Sequence, residues 1–147
     1  MRRSLYIGPE ISGKNYAAGL SIGNRPCFKI DCFAVSKFSK SNWVDSLEYL
    51  LATNSTGAKI IFVQDVPIKY LEAVCQFFYQ DEYTVNPKGK PAYSYRPDEI
   101  IITSTCELLD VPVTPSLVRR FDIFNCGAAN AAGVAMMFID PKMFSAN

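Results

Sequence analysis

A chain of 147 residues with 49% hydrophobic and 13% aromatic side chains is long enough for one domain with a real core. Its net charge of +1 excludes a strong overall field for nucleic acid, so any such binding must come from a local cluster. The absence of histidine excludes Ser-His-Asp and Cys-His catalysis, histidine-containing zinc sites and histidine-dependent nuclease chemistry, leaving Lys, Arg, Asp, Glu and backbone groups.

The first predicted element is a short strand, Ser4 to Ile7. It is followed by Gly8-Pro9-Glu10-Ile11-Ser12-Gly13-Lys14-Asn15 and then by a helix over Asn15 to Ile22. A strand, a glycine-bounded loop and a lysine at a helix start form a phosphate-cradle pattern. The glycines let the backbone curl so that N–H groups point inward, the helix N-terminus adds partial positive charge, and the lysine reaches terminal phosphates. Gly8, Pro9, Ser12, Gly13, Lys14 and Asn15 are therefore the candidate phosphate-binding residues. Asn15 departs from the pattern, which places a Ser or Thr hydroxyl there to bind Mg²⁺.

Asn24-Arg25-Pro26 breaks the chain, and the alternation from Cys27 to Phe33 predicts a second strand. A polar loop, Ser36 to Ser41, leads to a helix over Trp43 to Ala52, capped by Ser41 or Asn42. Ala58 to Asp65 is an unbroken apolar run ending in an acid, the pattern of a strand buried on both faces. Pro67 opens a helix running to about Tyr79, with Leu71, Val74, Cys75 and Phe78 on one face. Tyr83 to Tyr95 predicts a β-hairpin around Pro87-Lys88-Gly89-Lys90, and Ile100 to Thr105 a further buried strand. A short helix, Ser116 to Arg120, and a last short strand, Phe121 to Asn125, complete an expected domain of residues 1–127. Residues 128–147 are expected to form a helical or partly disordered tail.

Strand–helix alternation with two fully apolar strands predicts an α/β sandwich around a mainly parallel, five-stranded sheet with an inserted β-hairpin. Such sheets bind ligands at the carboxyl ends of their strands, where the glycine loop, Asp65, Thr105 and Asn125 all fall. The five cysteines, Cys27, Cys32, Cys75, Cys106 and Cys126, are odd in number and lack C-x-x-C spacing. They read as reduced, mostly buried thiols of an intracellular protein, with a Cys27–Cys32 bridge allowed by spacing alone. No apolar run approaches the roughly 18 residues of a spanning helix. Met1-Arg2-Arg3 is basic but runs into a strand rather than a signal-peptide core.

The ordered set resembles the superfamily 3 helicase domain, a family of the AAA+ class of P-loop ATPases found in replication proteins of small viruses and mobile elements. The set is a phosphate loop, an apolar strand ending in acid, a Lys-Gly hairpin, Ile-Ile-Ile-Thr-Ser-Thr and a double arginine. It covers about Leu5 to Cys126. Tyr83 to Lys90, followed by Ile100 to Thr105, is the most similar stretch. The resemblance implies a P-loop NTPase sandwich with ATP and Mg²⁺ as cofactors. It also implies single-stranded DNA or RNA as partner and a homo-oligomeric, hexameric ring. Gly8, Gly13 and Lys14 would hold the triphosphate, with Asn15 and Asp65 at the metal. Gln64 and Asp65 occupy the acidic pair that binds Mg²⁺ and polarises water, and another register puts Asp65 on the metal and Val66 at the base. Thr105 stands at the water-orienting asparagine, and Arg119 or Arg120 resembles an arginine finger for a neighbouring subunit. Lys88 and Lys90 would grip a phosphate backbone. Asn15, Gln64 and Thr105 all depart from the family pattern, at positions concerned with hydrolysis rather than binding.

Plainer roles are open to the same residues. Lys88 and Lys90 fit a solvated turn, and Arg119-Arg120 fits a helix C-terminus. Asp65 fits a turn cap. Trp43, Phe62, Phe77, Phe78 and Phe121 fit a core, as do Tyr93 and Tyr95, which could otherwise stack on bases. Two further readings of the whole chain are a non-hydrolysing P-loop assembly or scaffold subunit and a small α/β binding protein.

Overall fold

The structure, a computed structural model, describes residues 1–10, 12–32, 43–54, 57–111, 113–126 and 136–139. The expected caps Ser41 and Asn42 and the loop Ser36–Ser41 lie outside the described residues.

Strand β1, Arg2–Gly8, is the axis of the molecule. It pairs in parallel with β6, Glu99–Thr105, on one side and with β7, Asp122–Cys126, on the other. Beyond β6 lie β3, Ile60–Gln64, and β2, Cys27–Asp31, also parallel. The sheet order is β2-β3-β6-β1-β7-β8. The five expected strands are present and parallel. A sixth was not expected: β8, Met136–Ile139, pairs antiparallel to β7. This corrects the helical expectation for that part of the tail. Met-Met-Phe-Ile is a short apolar run, and β7 offers an edge of backbone N–H and C=O groups that pairing satisfies.

Helix α1, Lys14–Ile22, covers one face of the sheet. Its Ala17, Ala18 and Ile22 pack with Tyr6, Ile60, Phe62, Ile101 and Cys126. The opposite face carries α2, Trp43–Ala52, α3, Ile68–Phe77, and α4, Pro115–Arg120. There Leu47, Leu71, Val74, Phe78 and Leu117 pack on Leu5, Ile7, Ile61, Ile100 and Ile102. The molecule is thus a three-layer α/β sandwich, the arrangement of P-loop NTPases. Strand alternation explains the division, since Leu5 and Ile7 point one way and Tyr6 the other. Each fully buried side chain of this size stabilises the fold by about 1.5–3 kcal/mol.

The hairpin strands β4, Tyr83–Val85, and β5, Tyr93–Tyr95, form a separate antiparallel sheet inserted between α3 and β6. Its base is anchored by the Tyr95 hydroxyl, which donates to the Ala58 carbonyl just before β3. Phe62, Phe77, Phe78, Phe121 and Tyr95 are core residues, whereas Tyr93 is exposed. All five cysteines are free thiols, Cys27 exposed and the others buried, so the Cys27–Cys32 bridge is not formed.

Candidate functional site

The connection from β1 through α1 to β2 leaps over β6 and β3, so the loop after β1 opens beside its neighbour β6 at a switch in strand order. Gly8 ends β1 and is packed too tightly for any side chain. A Cβ there would lie 2.3 Å from the Cys126 carbonyl oxygen and 2.5 Å from Ser12 Oγ. The loop is closed by the Ser12 N–H donating to the Pro9 carbonyl at 3.2 Å. Gly13 then takes φ 81, a left-handed conformation suited to glycine, and α1 begins at Lys14 with no side-chain cap on its first N–H groups.

Two polar side chains of this loop are buried. Ser12 is 1% exposed, and its hydroxyl has no partner among the described residues. Lys14 is 5% exposed, and no carboxylate pairs with it among the described residues, where the ion pairs are Arg3–Asp81, Arg25–Glu99 and Arg96–Glu82. Its ammonium lies within electrostatic reach of two thiols flanking the end of β1. Burial pushes the Cys106 thiol up to about 11, with Lys14 among the groups pulling it back. Burial also raises the Cys126 thiol, again against Lys14. A buried cation without an anion is costly unless something supplies negative charge.

Asp65 follows β3 with φ 59, an uncommon conformation for a residue with a side chain. It is held by β6. The Asp65 N–H donates to Thr103 Oγ1 at 2.9 Å, the Val66 N–H to the Thr103 carbonyl at 2.9 Å, and Ser104 Oγ to the Val66 carbonyl at 2.6 Å. The clamp turns the Asp65 carboxylate back over β6 to α1. There it accepts a 3.0 Å hydrogen bond from Asn15 Nδ2. An amide–carboxylate bond of this kind contributes about 1.5–3 kcal/mol. Asn15 Oδ1 and Gln64 Oε1 are buried acceptors without a donor among the described residues. Thr105 lies level with Gly8 in the β1–β6 register and is exposed.

The structure thus brings Gly8, Pro9, Ser12, Gly13, Lys14, Asn15, Gln64, Asp65 and Thr105 to one rim. It does not bring the other candidates there. Arg119 and Arg120 end α4, at the far end of the sheet, where β7 starts level with Ser4. Arg120 stacks on the Tyr79 ring at 4.9 Å, and Arg119 is exposed. Lys88 and Lys90 are exposed at the hairpin turn, where the Lys90 N–H donates to the Pro87 carbonyl at 3.2 Å. Sequence reasoning missed Thr103 and Ser104, whose only signal was a polar run closing an apolar strand.

No protein-family profile matches the chain, and no curated protein matches it. Solved structures do. The A form of the apo NrS-1 C-terminal region aligns with a TM-score of 0.50 at 14% identity, over 86% of this chain and 29% of that one. JCV Helicase, solved with a thiazolopyridine acetamide bound, aligns with a TM-score of 0.51 at 14% identity, over 86% of this chain and 35% of that one. The fold is shared with a helicase. The chain spans between 29% and 35% of the length of these two matches.

Within this helicase-type fold, the loop fits phosphate and the acid fits a metal poorly. An anion at the α1 N-terminus would meet the first helical N–H groups, Lys14 and the spare Ser12 hydroxyl. Mg²⁺ prefers charged oxygens in octahedral array at about 2.1 Å. Here Asp65 is the carboxylate that meets the loop, and Asn15 turns an N–H rather than an oxygen toward it. Among the described residues, no group of Cys, Asp and Glu side chains gathers to hold a metal ion.

Proposed function

We propose that this chain is the ATP-binding part of a helicase-type motor domain that acts on single-stranded nucleic acid. The observation that carries the proposal is the buried Lys14 at the start of α1, without a carboxylate partner among the described residues, beside Gly8 and within one rim of Asp65 and Thr105. A nucleoside triphosphate supplies the negative charge that this lysine lacks.

In this reading Gly8, Pro9, Ser12, Gly13 and Lys14 hold the phosphates, and Asn15, Gln64, Asp65 and Thr105 line the terminal-phosphate side. Lys88 and Lys90 contact a DNA or RNA backbone at the hairpin turn. Copies assemble side by side, as in a hexameric ring, and Arg119, exposed at the far end of the sheet, reaches toward the neighbour's site. Arg120 is the weaker candidate for that role because Tyr79 already holds it. Likeness to a helicase over most of this chain supports the reading.

The test is titration of the purified chain with a fluorescent ATP analogue, alongside Lys14→Ala. Loss of affinity of at least tenfold in the variant, about 1.4 kcal/mol, is expected. Equal affinity in the two proteins, both folded by circular dichroism, would remove Lys14 and this loop from nucleotide binding.

A further inference from the structure

We propose that the phosphate site works without a divalent cation, because the Asn15 amide N–H occupies the place where a metal ion would join the loop to the acid. The inference rests on the nucleotide reading above and restricts it.

The argument starts from Asp65. Its carboxylate is aimed across β6 toward α1 by the Thr103 and Ser104 hydrogen bonds, and this is the direction a metal-binding acid would need. What it meets is Asn15 Nδ2 at 3.0 Å. A cation can enter between these two atoms only by breaking that hydrogen bond. Turning the amide over would present Oδ1 to the carboxylate, and two acceptors face to face repel unless a cation lies between them. The hydrogen bond therefore fixes the amide orientation and fills the metal position with a neutral donor.

Charge points the same way. Mg²⁺ sheds its water reluctantly and is held in proteins by carboxylates together with phosphates. Asn15 and Gln64 bring no charge, so of these three side chains only Asp65 would help the phosphates offset that dehydration. The phosphate side, by contrast, is compensated by groups already in place, Lys14 and the uncapped start of α1. Binding, rather than metal-assisted hydrolysis, is what these residues are arranged to do. Any coupling to nucleic acid then follows from nucleotide binding and release.

The test measures ATP affinity of the whole chain by calorimetry in EDTA and in excess MgCl₂, for the native protein, Asn15→Thr and Asn15→Ser. The two variants guard against one failing to fold. The native dissociation constants are expected to agree within about twofold. A variant, with its hydroxyl freed for the metal, is expected to bind about tenfold more tightly with Mg²⁺ than in EDTA, ~1.4 kcal/mol. Tightening of the native protein by Mg²⁺ of about tenfold would overturn the inference and assign the ion to Asn15 Oδ1 and Gln64 Oε1. Magnesium-independent binding by both native and variant proteins would overturn the role given to Asn15. If the folded chain binds no ATP in either buffer, the nucleotide reading itself fails and this inference with it. Failure of the inference alone leaves ATP binding intact.

Discussion

Gly8 shows how much one position can fix. The Cys126 carbonyl and Ser12 Oγ both occupy the volume a Cβ would need, and the carbonyl belongs to backbone that is itself paired in the sheet. Gly8→Ala must therefore push β7 away from β1 or tilt the loop. Overpacking of this kind costs about 1–3 kcal/mol. Urea unfolding is expected to show a lowered midpoint with an unchanged slope, together with weaker ATP binding. A midpoint equal to the native one would mean that the loop yields without strain. Asp65 is the complementary case, a residue with a side chain at φ 59 kept in place by its own two hydrogen bonds, to Thr103 Oγ1 and from Asn15 Nδ2, and by that of Val66 to the Thr103 carbonyl.

At the scale of elements, Arg3 ties the sheet to the hairpin. It is 8% exposed, and it donates to the carbonyls of Phe78, Tyr79 and Gln80 and to Asp81, the stretch that leads from α3 into β4. In sequence it is merely part of a basic N-terminus. In the structure it satisfies carbonyls at the end of α3 that no following turn would pair. The hairpin is thereby held against the body while its turn, with Gly89 at φ 74, stays in solvent. If that turn grips a single strand, replacing Lys88 and Lys90 together by alanine removes two phosphate contacts. The slope of log affinity for single-stranded DNA against log salt should then fall in magnitude by about 1.4. A slope that does not change would make the turn a solvated loop.

For the whole molecule, alkaline pH is the condition that loosens the core. Burial raises Cys32 to about 12 and Cys106 to about 11, and it also raises Cys75, Cys126, Tyr83 and Tyr95. Each is an acid whose folded pKa exceeds its unfolded value, 9.0 for the thiols and 10.0 for the tyrosines. The stability they contribute is complete below about pH 9 and is lost as pH rises through the folded values. The melting temperature is expected to fall between pH 9 and 12. A flat profile over that range would mean these groups ionise without opening the core.

Much of this architecture was legible in the chain. Apolar runs and their breaks located all five parallel strands, because each is a local pattern of alternation or full burial. The glycine and lysine spacing located the loop, and the acid closing an apolar run located Asp65. What the pattern did not carry was partnership at a distance. β8 exists through pairing with β7, the Asn15–Asp65 bond through the crossing of α1 over β6, and the roles of Thr103 and Ser104 through backbone groups of another strand. These are contacts between residues far apart in sequence, where periodicity has nothing to say.

The two faces of the sheet are unequally covered. Among the described residues one face is spanned by α1 alone, with Tyr16 and Leu20 each 65% exposed, while three helices cover the other. Local opening that lifts α1 would leave the larger core closed, so amide hydrogen exchange is expected to find this helix less protected than the strands it covers. Lys14 and Asn15 ride on it. A bound phosphate group that bridges the loop to the first turn would hold down the part of the protein most ready to leave. Some of its binding free energy is then spent in ordering α1, and the observed affinity becomes a measure of how firmly that helix was seated beforehand.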